Sequence, residues 1–255
     1  MVTLNNQYLQ TNFDSDGYIS VNPLFSIEKI EEIKIELTRY IKEVAPNVPD
    51  HHIFYENKDD KTTIKQLQQM FTYDDYFKEL IENSLIREVA EIVLREKAEP
   101  KNLQFFNKPP GIGKPTPPHQ DGYYFMLKKH NAVTCWLALE KVDEENGCIH
   151  YVRGSHKMEG YRPHGKSEIL GFSKGVTDFG TEEDKKNTVK FEGKAGMFLM
   201  HHAKIIHFAD PNKSKTRSRR AFGFVYHGVS AKHDKQKEKM EQEQLKAELK
   251  SKNKL

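Results

Sequence analysis

The 255-residue chain is short of three things that often announce a function: cysteine, long apolar runs and an excess of one charge. Its two cysteines, Cys135 and Cys148, are too few for a disulfide framework or a four-thiolate zinc site. Both lie in apolar stretches and read as small buried thiols, so any metal has to be held by histidine and carboxylate. No window approaches the roughly 20 apolar residues of a bilayer-spanning helix, and the strongest run, residues 196–200, is strand-sized. The opening Met1-Val2-Thr3-Leu4-Asn5-Asn6-Gln7 has no basic segment leading into an apolar core. No secretory signal or membrane partner is expected, and the cytoplasm is the default location. Lys and Arg number 40 against 37 Asp and Glu, and eight of those bases with five of the acids fall at 229–255, leaving 32 of each in the body. A neutral body argues against a nucleic-acid partner, because only the appendage carries surplus positive charge.

What is present divides into two grammars. Residues 26–42 carry Ile27, Ile30, Ile33, Ile35, Leu37 and Ile41 with charges between them, behind Ser26, a suitable N-cap, and read as an amphipathic helix. Residues 64–71 and 76–94 read as further helices, so roughly 1–98 is helix-rich. After Pro100 come short alternating or apolar runs bounded by turn residues, at 102–107, 123–127, 133–139, 148–152, 197–200, 205–208 and 221–226. That is a β-sandwich pattern. Residues 157–195 read as a long, glycine-bearing polar connection, a length usually reserved for functional loops. Residues 1–229 are expected to form one domain, and 230–255 a charged tail, helical or disordered.

Twelve histidines are present, and His51, His52, His130, His164 and His233 sit in polar loop or tail contexts that need no special explanation. His119 differs, standing in Pro117-Pro118-His119-Gln120-Asp121-Gly122 at the entrance of a predicted strand. On an extended backbone residues i and i+2 share a face, which would bring His119 and Asp121 together. With one more histidine they make the facial triad that holds iron(II) and leaves three coordination positions open. His-x-Asp alone also arises from a strand-entry histidine beside a surface carboxylate, so the third ligand decides. His201, His202 and His207 are the candidates. Gly111-Ile112-Gly113-Lys114 is no phosphate loop, since Lys108 and Pro115 occupy places that need glycine and a hydroxyl residue.

Several segments together resemble the phytanoyl-CoA dioxygenase family of iron(II)/2-oxoglutarate-dependent oxygenases. They are His119-Gln120-Asp121, Trp136-Leu137-Ala138-Leu139, Asn146-Gly147-Cys148, Gly154-Ser155-His156-Lys157, and His207 with Asn212 and Ser214 ahead of a basic strand. The likeness runs over roughly 13–228. It implies a double-stranded β-helix (jelly-roll, cupin-like) core behind the helical N-terminal part. It also implies iron(II) on His119, Asp121 and His207, with 2-oxoglutarate as cosubstrate and O2 as oxidant. An arginine about a dozen residues after His207 would pair with the distal carboxylate of 2-oxoglutarate. Arg219 is preferred, because Arg219-Arg220-Ala221 follows the family's order, and Arg220 is the second candidate, because Arg219 lies one residue further along than expected. Trp136 is expected to pack against the cosubstrate. Ala209 stands where many members carry a serine that helps hold it, and Thr134 or Gln104 is the expected substitute.

The implied activity is hydroxylation of a small organic metabolite with succinate and CO2 as coproducts. Asp121 favours this over halogenation, which in related enzymes needs that carboxylate replaced. Tyr123 and Phe125 would line the substrate cavity if the strand continues past Asp121. A different class of function, a non-catalytic metal-binding jelly-roll whose tail recruits a partner, has no need of the arginine.

Overall fold

The computed structural model describes residues 5–166, 174–236 and 239. In chain order it contains α1 (Asn6–Asp16), β1 (Tyr18–Val21), α2 (Ile27–Arg39), β2 (Ile53–Tyr55), β3 (Ile64–Leu67), α3 (Met70–Tyr73), α4 (Asp75–Glu82), α5 (Leu85–Leu94) and β4 (Ala98–Lys108). There follow β5 (Thr116–His119), α6 (Asp121–Phe125), β6 (Ala132–Ala138), β7 (Ile149–Val152), β8 (His164–Lys166), β9 (Lys174–Val176), α7 (Glu182–Asn187), β10 (Thr188–Phe191), β11 (Phe198–His202), β12 (His207–Ala209) and β13 (Arg219–Gly228).

Period-two alternation organises the strands. The large antiparallel sheet runs β1-β11-β6-β13-β4-β3-β2 and the small one β10-β7-β12-β5. On β13, Phe222, Phe224 and Tyr226 join Val133, Cys135, Leu137, Phe198 and Met200 on the face covered by the N-terminal helices. Ala221 instead joins Trp136, Ala138, Leu199, Ile149 and Tyr151 between the two sheets. This is the expected jelly-roll with helices packed on one sheet, and the inward face is where the site lies. Burying a large aromatic such as Phe222 contributes about 3–5 kcal/mol relative to alanine.

Helix starts follow their caps. The Ser26 hydroxyl accepts from the Lys29 amide, Asp74 opens α4 and Ser84 opens α5. The single helix expected over 76–94 is therefore two, because Ser84 caps a new start at the Asn83-Ser84 break. Two further expectations fail. Residues 64–71 do not form a helix: β3 pairs with both β2 and β4, and only Met70–Tyr73 is helical. Ladder hydrogen bonds to a neighbouring edge outweigh the weak local preference of a four-residue run. Residues 123–127 do not form a strand, because α6 begins at Asp121. The polar connection is also structured in part, with the β8–β9 hairpin, α7 and its capping box at Thr181, and β10.

The start of the expected tail is tied down. The Ser230 hydroxyl donates to Glu96 at 2.6 Å, and the Asp234 amide donates to the Met126 carbonyl at 2.6 Å. The rest of that segment, 237–238 and 240–255, lies outside the described residues. Among the described residues no helix is long and apolar enough to cross a membrane.

Candidate active site

Pro117 and Pro118 hold β5 extended into His119. Gln120, fully buried, fixes the turn that follows: its side-chain amide donates to the Lys204 carbonyl at 2.7 Å and accepts from the Arg162 amide at 2.9 Å. Gly122 comes next, and a Cβ there would lie 2.5 Å from the Tyr161 hydroxyl and 3.0 Å from Ala203. Only glycine lets α6 start this close to its neighbours, and that start aims Asp121 back at His119.

β12 pairs with β5 so that His207 faces His119 directly, their ring centroids 4.0 Å apart. Asp121 Oδ1 lies 3.3 Å from His119 Nε2 and 3.7 Å from His207 Nε2. The three ligand atoms all fall within 4.8 Å of one another. Both imidazoles are oriented from behind, His119 Nδ1 lying 2.8 Å from the Pro117 carbonyl and His207 Nδ1 3.2 Å from that of Ile205. A proton on each Nδ1 leaves each Nε2 lone pair for a metal. The other oxygen, Asp121 Oδ2, accepts from the Thr134 hydroxyl at 2.6 Å and sits 3.1 Å from His201 Nε2. His201 Nδ1 in turn meets the Tyr151 hydroxyl at 2.9 Å.

Burial opposes ionisation of Asp121, but the facing His207 and the hydrogen bonds from His119 and His201 outweigh it and hold the carboxyl well below its ordinary range. Burial, reinforced by His119 and His201, holds His207 well below the usual imidazole value. An anionic carboxylate beside an uncharged imidazole is the protonation state that coordinates a divalent cation.

The triad opens into a cavity of about 300 Å³ between the sheets. Arg219 lies at its wall, 5% exposed, with its guanidinium carbon 5.6 Å from the centre of the Trp136 ring. Burial pushes the guanidinium down to about 10, and its Nε has no hydrogen-bond partner among the described residues. A buried cation with an orphaned donor fits an incoming carboxylate. Arg220, the second sequence candidate, faces the other side of β13 and pairs with Glu140 at 2.5 Å. Alternation along one strand separates the two.

The proposed substitutes for the missing serine fare differently. Thr134 lines the cavity, but its proton is committed to Asp121. Gln104 also lines it, and its carbonyl oxygen accepts from Gln66 at 2.9 Å. Tyr123 stacks on His164 at 4.0 Å, while Tyr124 and Phe125 are the ones that line the cavity, as a helical turn instead of a strand dictates. His202 lies among Phe13 and His156, away from the triad.

Sequence reasoning missed Gln66 and Gln68, which line the cavity from β3 and its end, because that segment was read as a helix. It also missed the second role of Asn212, whose amide donates to the carbonyls of Lys108 and Arg217 and shapes the approach to β13. Lys108 is buried with its ammonium on the Ala209 and Asp210 carbonyls, and Arg162 pairs with Asp178 and Asp184.

Known proteins resemble this chain. The phytanoyl-CoA dioxygenase family profile matches residues 13–221. A probable alpha-ketoglutarate-dependent hypophosphite dioxygenase from Stutzerimonas stutzeri is 26% identical over 216 residues, 82% of this chain and 74% of that protein. The peroxisomal phytanoyl-CoA dioxygenase of Mus musculus is 26% identical over 219 residues, 80% of this chain and 63% of its own length. Among solved structures, EctD from S. alaskensis with bound Fe superposes with a TM-score of 0.75 at 17% identity, covering 91% of this chain and 79% of that one. The carbocyclase SnoK from nogalamycin biosynthesis, described as non-heme and alpha-ketoglutarate-dependent, gives 0.73 at 20%, covering 90% and 86%. At such identities the two structures speak for the fold, while the family match spans most of the chain. The chain belongs to the phytanoyl-CoA dioxygenase family of iron(II)/2-oxoglutarate-dependent oxygenases.

Proposed function

We propose that this chain hydroxylates a small organic metabolite, using iron(II), 2-oxoglutarate and O2 and releasing succinate and CO2. The observation that supports it is that three side chains able to hold a metal and a buried arginine with an orphaned donor line the same cavity. His119, Asp121 and His207 would hold iron on one face and leave three positions for cosubstrate and oxygen. Iron held in this way supplies the activation of O2 that attack on an unactivated C–H bond requires.

The chain's own residues do the rest. Arg219 offers a planar, charged fork to the distal carboxylate of 2-oxoglutarate. Trp136 backs that fork, and the Gln104 amide supplies a donor in place of the missing serine. Asp121 occupies the position that halogenating relatives leave for chloride, which directs the outcome to hydroxylation. Phe106, Phe125 and Ile149 give the cavity apolar walls that limit water, and Gln66 and Gln68 offer hydrogen bonds to an uncharged polar group. A non-catalytic metal-binding module would have no use for a buried, partly unsatisfied arginine.

The test is succinate formation from 2-oxoglutarate by iron-loaded protein across a library of small metabolites. At least one compound is expected to stimulate turnover, with Asp121→Ala at background. Failure of every compound, together with no substrate-free turnover by folded, iron-loaded protein, contradicts the reading.

A further inference from the structure

Beside the strand that carries His207 inward lies a second cluster of side chains of the kinds that can hold a metal: Cys148, His150 and Asp210. On β7, Ile149 and Tyr151 face the space between the sheets. By alternation His150 faces the other side, and Cys148, fully buried just ahead of β7, brings its sulfur to the same group. β12 pairs with β7 so that Phe208 lies against His150, and their rings stack at 4.6 Å with planes only 2° apart. This stacking fixes the imidazole plane. Its Nε2 is then directed at two neighbours, Asp210 Oδ2 at 2.8 Å and Cys148 Sγ at 3.6 Å. The Asp210 amide also donates to the Cys148 carbonyl at 3.3 Å, so the backbone holds the two outer members in register.

Sulfur, nitrogen and oxygen donors all within 4.8 Å of one another form a compact set. Zinc takes thiolate at about 2.3 Å and imidazole at about 2.0–2.1 Å in tetrahedral geometry, which places S and N about 3.6 Å apart. The observed sulfur-to-nitrogen distance is the same. Nitrogen and carboxylate oxygen on such an ion would stand about 3.3 Å apart, so the present 2.8 Å contact has to open by roughly half an ångström. Asp210 has the freedom for that, its side chain being 39% exposed while that of His150 is 13% exposed. The exposed carboxylate also gives an ion a route from solvent that does not cross the cavity.

We propose that Cys148, His150 and Asp210 form a second metal site, for a divalent cation of the zinc class, on the outer face of the small sheet, with water as fourth ligand. The donor set differs in kind from the first. Two imidazoles and a carboxylate suit iron(II), whereas a thiolate selects softer, zinc-like ions. The two ions can therefore sort between the sites by ligand chemistry. The sites are also mechanically joined, because His207 and Asp210 lie three residues apart on one segment. An ion bridging Asp210 to β7 would hold the far end of the strand that positions His207.

Cobalt(II) separates this site from the triad, since only a thiolate ligand gives an intense sulfur-to-cobalt charge-transfer band in the near ultraviolet. The full-length protein, stripped of metal and kept reduced, is titrated with cobalt(II) alone. The band is expected in the wild type and in His119→Ala, and is expected to be lost in Cys148→Ser and discharged by zinc(II). His150→Gln, which keeps the thiol, is expected to weaken cobalt binding by roughly tenfold or more. Circular dichroism checks that each variant is folded. No band in the wild type, or an undiminished one in both Cys148→Ser and His150→Gln, overturns the proposal and leaves these residues as a hydrogen-bonded cluster only. Neither result bears on the triad, whose iron is read separately.

Discussion

At the scale of single residues, parity along a strand decides what each side chain does. Arg219 and Arg220 are chemically alike, yet one is buried against Trp136 and the other is bound to Glu140. Arg219→Gln is expected to raise the KM for 2-oxoglutarate by about 10–100-fold, the value of one or two hydrogen bonds to a charged group. Arg220→Gln should leave that KM within about twofold, because a partly exposed pair contributes little. Steady-state kinetics on the two variants checks both.

His201 carries a second prediction at this scale. It contacts Asp121 Oδ2 and not the oxygen that faces His119 and His207, so His201→Ala should weaken iron binding by about 10–100-fold and leave the 2-oxoglutarate KM nearly unchanged. Ferrous-iron titration followed by kinetics at saturating iron distinguishes that from loss of a ligand. The triad itself was legible, because His-x-Asp and the segment after His207 have fixed chemical needs. The preference for Arg219 over Arg220 rested on the resemblance alone, because parity is set by the pairing of β13 with β6 and β4, which no local pattern states.

At the scale of elements, the strands after residue 100 were mostly legible, while 64–71, 123–127 and the break at Ser84 were not. The outward face of β13, with Phe222, Phe224 and Tyr226, repeats every second residue and is buried accordingly. Residues 64–67 repeat too few times to choose between a strand and a helix, and their partner β4 decides for them. The turn after His119 misled for another reason. Tyr123-Tyr124-Phe125 has strand-like composition, but Gln120 and the missing Cβ of Gly122 commit the chain to a helical turn. Gly122→Val should therefore cost iron retention before it costs the fold, since its Cβ would push α6 and Asp121 off their present line. Metal analysis after desalting, beside a thermal melt, checks that order of loss.

For the whole molecule, the charge count points away from the site. The surplus lies at 229–255, while the guanidinium expected to matter belongs to the balanced body. The pH dependence of stability follows instead from two largely covered histidines. Burial holds His202 down to about 3 and His227 down to about 4, well under an ordinary imidazole. Both folded values lie below the unfolded one of about 6.5. The unfolded chain thus takes up protons that the folded chain refuses, so stability is full above about pH 6.5 and falls as pH drops. Melting the protein between pH 7 and 5 should show a declining midpoint, and His227→Gln should flatten that decline.

The account rests on one cavity holding both the metal and the carboxylate clamp. Anaerobic wild-type protein given iron(II) and then 2-oxoglutarate is expected to develop the visible metal-to-ligand charge-transfer band of a chelated 2-oxo acid. Arg220→Gln should keep it at the same cosubstrate concentration, and Arg219→Gln should need far more 2-oxoglutarate to reach it. Absence of the band in folded wild-type protein shown to contain iron would contradict the account.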